Sequence, residues 1–180
     1  MLEDMILIWK LKRADKGALR RIFEKYKAVL LTVAVGLLND AAAGEDVLHD
    51  VFVSFAADIK NFRIQGSLKD YLVRRTVIGA RDRLNSRMYK VVGLESTGPL
   101  GSDGGEPEEK SLPGERNRIV TGALSKLPLQ QREAVVLHLQ GQMGFRQIAG
   151  MQAVSVNTVK GRYLYGLERL RSLLSGELAG

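Results

Sequence analysis

The stretch Leu127–Leu174, LPLQQREAVVLHLQGQMGFRQIAGMQAVSVNTVKGRYLYGLERLRSLL, decides how the remainder of the chain is read. It divides into three helical pieces. Pro128 suits the first turn of a helix, where its missing N–H is not needed, and Val135, Val136 and Leu139 give that helix an apolar face that stops at Gly141. In the short second helix Phe145, Ile148, Ala149 and Met151 fall at helical spacing, and Gln152-Ala153-Val154 forms a tight connection. Ser155 opens the third helix, its hydroxyl accepting from free N–H groups of the next turn. Val159, Tyr163, Leu167, Leu170 and Leu174 recur every three or four residues as an inward stripe, while Asn157, Thr158, Lys160 and Tyr165 occupy the opposite face.

This is a helix-turn-helix pattern, in which the second helix of the motif enters a major groove and its first turns reach base edges. Asn157, Thr158 and Lys160 all carry groups that hydrogen-bond bases, and Arg146 and Arg162 are placed for phosphates. Gln147, Ser155 and Tyr165 complete the candidate set. A small helical bundle with a polar outer face has the same spacing, so periodicity alone does not choose between the two. Gly150 and Gly161 weaken the helices by roughly 1 kcal/mol each relative to better helix formers.

The chain of 180 residues has room for one ordinary domain or two small ones, and its composition shift favours two. Residues 1–89 carry 16 Lys+Arg against 11 Asp+Glu (+5), residues 90–115 carry 2 against 6 (−4), and residues 116–180 carry 9 against 3 (+6). Two basic blocks flanking an acidic one suggest a nucleic-acid partner, although basic helical faces are often merely solvated. There is no cysteine, which excludes disulfides and thiolate metal sites and fits a reducing cytoplasm. His49 and His138 lie far apart and read as plain helix residues, so no metal or cofactor is expected. The longest apolar run, Ala28–Leu38, falls well short of the roughly 20 residues that span a bilayer and reads as a buried helix. The N-terminal Met-Leu-Glu-Asp lacks the positive start of a secretory signal, so a cytoplasmic protein without membrane insertion is expected.

Periodicity predicts helices over 3–14, 18–38, 42–60, 68–88 and 116–126 ahead of the opening stretch. Met5, Ile6, Ile8, Trp9 and Leu11 mark the first; Leu19, Ile22, Phe23, Tyr26, Val29 and Leu30 mark the buried side of the second. The loop Asn61–Ser67 precedes a helix bearing Lys69, Arg74, Arg75, Arg81, Arg83 and Arg87. A base pulled from a duplex needs stacking and hydrogen-bonding groups, and Phe62 and Gln65 are the loop's candidates, with Arg63 and Lys69 for adjoining phosphates. The competing reading has Phe62 plug the gap between the third and fourth helices. Gly93, Gly98, Pro99, Gly101, Gly104, Gly105, Pro107, Pro113 and Gly114 among acidic residues make 90–115 a flexible linker. The expected architecture is therefore all-α: two small helical domains, 1–89 and 116–180, joined by an acidic Gly/Pro-rich linker.

In order and separation, Leu127-Pro128, Arg132-Glu133, Gly141, Ile148-Ala149 and Ser155-Val156-Asn157-Thr158-Val159-Lys160 resemble the C-terminal promoter-reading domain of bacterial sigma factors, above all the extracytoplasmic-function group of the sigma-70 family. Gly17–Tyr26 resembles that family's opening helix, so the likeness covers almost the whole chain in the correct order. The resemblance implies a dissociable, non-catalytic subunit that lends RNA polymerase promoter specificity and helps nucleate strand opening. It implies contacts to core RNA polymerase by Glu45, Asp46, Asp50, Val51 and Phe52, although acids near a helix start favour the dipole anyway and Val51 and Phe52 also suit a core. By the same likeness the upstream element of promoter DNA falls to the helix-turn-helix. The downstream element and its melting fall to Phe62, Arg63, Gln65, Lys69, Arg74, Arg75 and Arg81. An anti-sigma factor is a further partner that the likeness allows. Two departures stand out: Gln152-Ala153 replaces the usual Leu-Gly of the turn, where Ala in a left-handed backbone costs about 1 kcal/mol, and in the basic helix only Leu72 and Asp82 match squarely.

Two other functions fit parts of the pattern. A stand-alone helix-turn-helix regulator with a helical sensing or dimerising domain would bind duplex DNA by itself, as a symmetric dimer on paired half-sites. A DNA-processing enzyme would need a positioned nucleophile or a metal-binding carboxylate cluster, and Glu45, Asp46 and Asp50, without a histidine or a second cluster, make a poor one.

Overall fold

The computed structural model describes residues 2–63, 66–93 and 112–177, and every regular element in them is an α-helix. In chain order these are α1 (Leu2–Lys12), α2 (Lys16–Leu38), α3 (Ala41–Asp58), α4 (Leu68–Gly93), α5 (Leu112–Ser125), α6 (Leu129–Leu139), α7 (Phe145–Gln152) and α8 (Val156–Glu177). Capping residues set several of these boundaries. Asp15 accepts from the Gly17 N–H at 2.8 Å and starts α2, and Asn39 ends it in the left-handed region at φ 54°. Asp40 then accepts from the Ala43 N–H at 2.9 Å and starts α3, so two adjacent polar residues make the α2–α3 hairpin.

Helices α1 to α4 pack together around α2, and α5 to α8 form a second helical group around α6 and α8. The two groups are not separate cores. A single buried cluster runs from Leu7 through Ile22, Leu30, Phe55 and Leu72 to Leu137, Ile148 and Val159. The bridge is α2, which meets α3 and α4 and also α5 and α6, with Gly36 and Leu37 near its C-terminal end lying against α6. That placement explains the composition of Ala28–Leu38, since a helix covered from several sides is apolar nearly all round.

Several expectations need adjustment. In α1, Ile8 and Leu11 are buried with Leu7, whereas Met5, Ile6 and Trp9 face outward, Trp9 beneath the Arg13 guanidinium at 3.8 Å. In α6 the expected face of Val135, Val136 and Leu139 becomes a run from Glu133 to Leu137, all buried, with Leu139 exposed. The cause is that α6 is sandwiched between α2 and α8, so consecutive residues find cover on opposite sides. The expected linker 90–115 is trimmed at both ends, because α4 continues to Gly93 and α5 begins at Leu112; residues 94–111 lie outside the described residues.

Two polar side chains are taken into the N-terminal core: Thr76, whose hydroxyl donates to the Leu72 carbonyl oxygen at 3.0 Å, and Asp4. Asp4 accepts from the Tyr26 hydroxyl at 2.9 Å and from the Lys25 ammonium at 2.8 Å. Burial pushes the Asp4 carboxyl upward, but those two hydrogen bonds outweigh it and hold it below the usual carboxylate range. The same burial and the same bond push the Tyr26 hydroxyl up to about 12. Across the second group, α8 crosses α6 at Gly166, where a Cβ would stand 2.8 Å from Val135 and 3.3 Å from the Gln131 carbonyl oxygen. Only glycine permits that approach.

Candidate nucleic-acid and partner interfaces

The helix-turn-helix is built largely by local hydrogen bonds. Gly144 starts α7, its N–H donating to the Gln147 side chain at 2.8 Å, and Ala153 ends it in the left-handed region at φ 53°. The Ser155 hydroxyl accepts from the Thr158 N–H at 3.1 Å and sets the first turn of α8. Beneath the motif, His138 stacks on Phe145 with ring centres 4.2 Å apart and meets Tyr163 edge-on at 4.8 Å. Its Nδ1 lies 2.9 Å from the Met143 carbonyl oxygen, so His138 is a packing residue that braces α6 against α7 and α8.

With Val159 fully buried, Ser155, Asn157, Thr158, Lys160 and Tyr165 are all exposed, as are Arg146 and Gln147 at the start of α7. An exposed polar face of this kind on an amphipathic helix has the chemistry to meet base edges and phosphates in a major groove. Arg162 differs: its guanidinium donates to the Gln152 side chain at 2.6 Å and ties α8 to the turn. Gln147 also has a tertiary partner, donating to Asp70 at 2.6 Å.

In α3, Glu45, Asp46 and Asp50 are exposed, and Asp50 accepts from Arg83 at 2.8 Å. Val51 and Phe52 are buried beneath them, Phe52 edge-on to Phe23 at 4.9 Å. These two therefore support the acidic face from below. Arg87 of α4 pairs with Asp40 at 2.6 Å, and the backbone bond from Ala43 followed by that pair holds the Asp40 carboxyl below its usual range.

Phe62 packs edge-on against Phe55 and Tyr71, with centroids 5.2 and 4.8 Å away, in the gap between α3 and α4. Beside it Asp58, Asn61, Arg63, Asp70 and Arg74 line an open cleft whose rim is polar. Arg63 and Arg74 are exposed and Arg75 is half-buried; Gln65 lies outside the described residues. The remaining basic candidates face the second helical group. Lys69 donates to Gln142 at 2.8 Å, and Arg81 grips both carboxylate oxygens of the buried Glu133 at 2.6 and 2.7 Å. Sequence reasoning did not single out Gln142 and met Glu133 only within a family pattern. The one signal for them was that α2 is apolar on more sides than one helical group requires.

Comparison with known proteins accounts for this layout. The family profile "Sigma-70 region 2" matches residues 22–88 and "Sigma-70, region 4" matches residues 117–170. The ECF RNA polymerase sigma factor SigW of Bacillus subtilis is 24% identical over 176 residues, covering 93% of this chain and 94% of that one. The RNA polymerase sigma-H factor of Pseudomonas aeruginosa is 24% identical over 181 residues, covering 96% and 94%. Among solved structures, the sigma factor RpoE in complex with the anti-sigma factor NepR from Bartonella quintana superposes with a TM-score of 0.71 at 20% identity, covering 87% of this chain and 96% of that one. CnrH in complex with the cytosolic domain of CnrY gives 0.68 at 20% identity, covering 97% and 98%. Two regions of one family, matched in order on the two helical groups, and relatives aligned over nearly their full length place this chain in the sigma-70 family, in its extracytoplasmic-function group, as a factor that directs RNA polymerase to promoters.

Proposed function

We propose that the two helical groups act as separate reading heads, residues 1–89 and 116–180, joined through residues 90–115, and that core RNA polymerase is held by Glu45, Asp46 and Asp50 on α3. In that complex Asn157, Thr158 and Lys160 read base edges of the upstream element, with Arg146 on phosphates. Arg63, Arg74 and Arg75, with Lys69 and Arg81, hold the downstream element beside the Phe62 cleft. The chain supplies specificity and performs no covalent chemistry, and it works in the cytoplasm, where an anti-sigma factor masks its polymerase-binding face. No helix among the described residues is long and apolar enough to cross a membrane. The observation that carries the reading is the Ser155-capped helix, with Asn157, Thr158 and Lys160 exposed around a fully buried Val159.

The test is co-elution with purified core enzyme on gel filtration, followed by transcription from promoter libraries. The wild type is expected to form a stable complex and to bind duplex DNA feebly alone. Asp46→Lys with Asp50→Lys should weaken the complex while helix content stays unchanged. Tight, dimeric binding to duplex DNA without core enzyme would instead establish the stand-alone regulator.

A further inference from the structure

Helix α1 is apolar on two sides at once. Leu7, Ile8 and Leu11 point inward to the core, and α2 is the helix it chiefly packs against. On the opposite side Leu2, Met5, Ile6 and Trp9 follow the i, i+3, i+4, i+7 spacing of one stripe and are 73%, 51%, 47% and 53% exposed. Among the described residues α4 and α8 come next, exposing two large apolar side chains each, Ile78 with Met88 and Leu164 with Tyr165. A helix apolar all round is ordinarily covered all round, so a row of four left in the open marks a surface that meets something.

The charge around this row is one-sided. From Lys10 to Arg21 the sequence holds six Lys or Arg and one acid, Asp15, whose carboxylate is used as the α2 cap. At about 3.6 residues per turn, Lys10 and Lys12 fall on the two flanks of the row. Arg13 closes its end, the guanidinium 3.8 Å from the centre of the Trp9 ring. The acids of α1 are engaged elsewhere: Glu3 is tied to Lys25 at 2.6 Å, and Asp4 is buried against Lys25 and Tyr26.

We propose that α1 seats the protein on an anionic lipid surface, its apolar row sunk just below the headgroups and the flanking cations on lipid phosphates. Long basic side chains bury their stems and keep their heads at phosphate depth, and tryptophan prefers the same depth. Shape favours lipid over protein. The row is a ridge about 16 Å long, the length of an 11-residue helix, and offers well under the roughly 800 Å² per partner that a stable protein pair buries. A second copy would also set lysine against lysine. A fluid bilayer needs no groove to receive a ridge, and a helix this short lies on the surface without crossing it. None of these residues is assigned to DNA or polymerase, so the proposal stands apart from the promoter reading.

Trp9 is the only tryptophan in the chain, so its emission reports this face and no other. The full chain is titrated with vesicles of phosphatidylcholine containing about one-third phosphatidylglycerol. The emission should shift to the blue, become protected from acrylamide, and the protein should float with the vesicles. Vesicles of phosphatidylcholine alone should bind about tenfold more weakly or worse. Met5→Ser with Ile6→Ser should abolish the shift. Each basic side chain near an anionic surface strengthens binding about fivefold, so Lys12→Gln with Arg13→Gln should weaken it about 25-fold. All four side chains are exposed, so both double variants should keep the wild-type melting temperature and binding to core polymerase. Flotation without a Trp9 shift would place the lipid contact on another basic face, and an equal shift with soluble polyglutamate would assign the row to an acidic protein. A wild-type dimer that dissociates in the Met5→Ser, Ile6→Ser variant would assign it to a second copy, and loss of core polymerase binding in that variant would assign it to the polymerase. Each of these results overturns the proposal, as does a Trp9 already shielded from acrylamide in the free protein.

Discussion

Phe62 lies edge-on to Tyr71 with ring centres 4.8 Å apart, and both rings lean on the fully buried Phe55. The loop's one described aromatic is thus a wedge between α3 and α4, and any role in stacking a flipped base comes after that one. Phe62→Ala should cost about 2–3 kcal/mol and lower the melting temperature by roughly 5–10 °C. On a promoter premelted with a mismatched bubble the variant should stay impaired. Full recovery on the bubble template with an unchanged melting temperature would return Phe62 to the melting machinery.

Asn157 and Arg146 should separate by selectivity. Asn157→Ala is expected to cost roughly 1–3 kcal/mol at one base pair and relax preference there, because a base-edge hydrogen bond is lost. Arg146→Ala should weaken all sequences alike and flatten the salt dependence by about 1. Selection from a randomised promoter pool reads both. Matching preference logos for the two variants would mean that α8 does not lie in the groove as placed here.

Ala153 occupies φ 53° and ψ 44°, the left-handed region where its Cβ is strained, at the position where the family usually has glycine. Ala153→Gly should therefore stabilise the protein by about 1 kcal/mol and raise the melting temperature by roughly 2–4 °C. Gly150→Ala should act in the same direction, since nothing lies within 4 Å of the added methyl. Thermal melts of the single and double variants check this, and a destabilised Ala153→Gly would show that the turn has another backbone.

Stability should fall at both ends of the pH range, for opposite reasons. The Asp4 and Asp40 carboxyls are held below the ordinary aspartate value of 3.8, so the folded state binds fewer protons than the unfolded chain. Their contribution is fully present above that value and is lost as the pH falls through the lower folded values. The Tyr26 hydroxyl is raised from 10.0 to about 12, so its contribution is present below 10 and is lost as the pH rises toward 12. Denaturant midpoints measured against pH should show Asp4→Asn and Asp40→Asn each flattening the acid limb, and Tyr26→Phe flattening the alkaline one. An acid limb that keeps its slope in both Asn variants would place the responsible carboxylates elsewhere.

The helices themselves, their breaks at Asn39-Asp40 and Gln152-Ala153-Val154, and the helix-turn-helix were all legible in the amino-acid order. Each depends on interactions that close within a few residues: the Ser155 cap, the Asp40 cap and the apolar spacing of Ile22, Tyr26 and Leu30. The strained Ala153 was legible through the family likeness, in which a glycine that accepts a left-handed backbone usually holds that position. Other features were decided only by the tertiary structure. The charges on α4 looked like one basic surface, yet Arg81, Arg83 and Arg87 each meet a carboxylate 33 to 52 residues away in sequence. Val51 and Phe52 suited a core by spacing and a polymerase contact by family likeness; in the structure both are buried, Phe52 against Phe23. Local free energies fix where a helix starts and stops, but which face it buries depends on the other helices that reach it. For α2 that meant two helical groups at once, and no periodicity within its own residues could reveal the second.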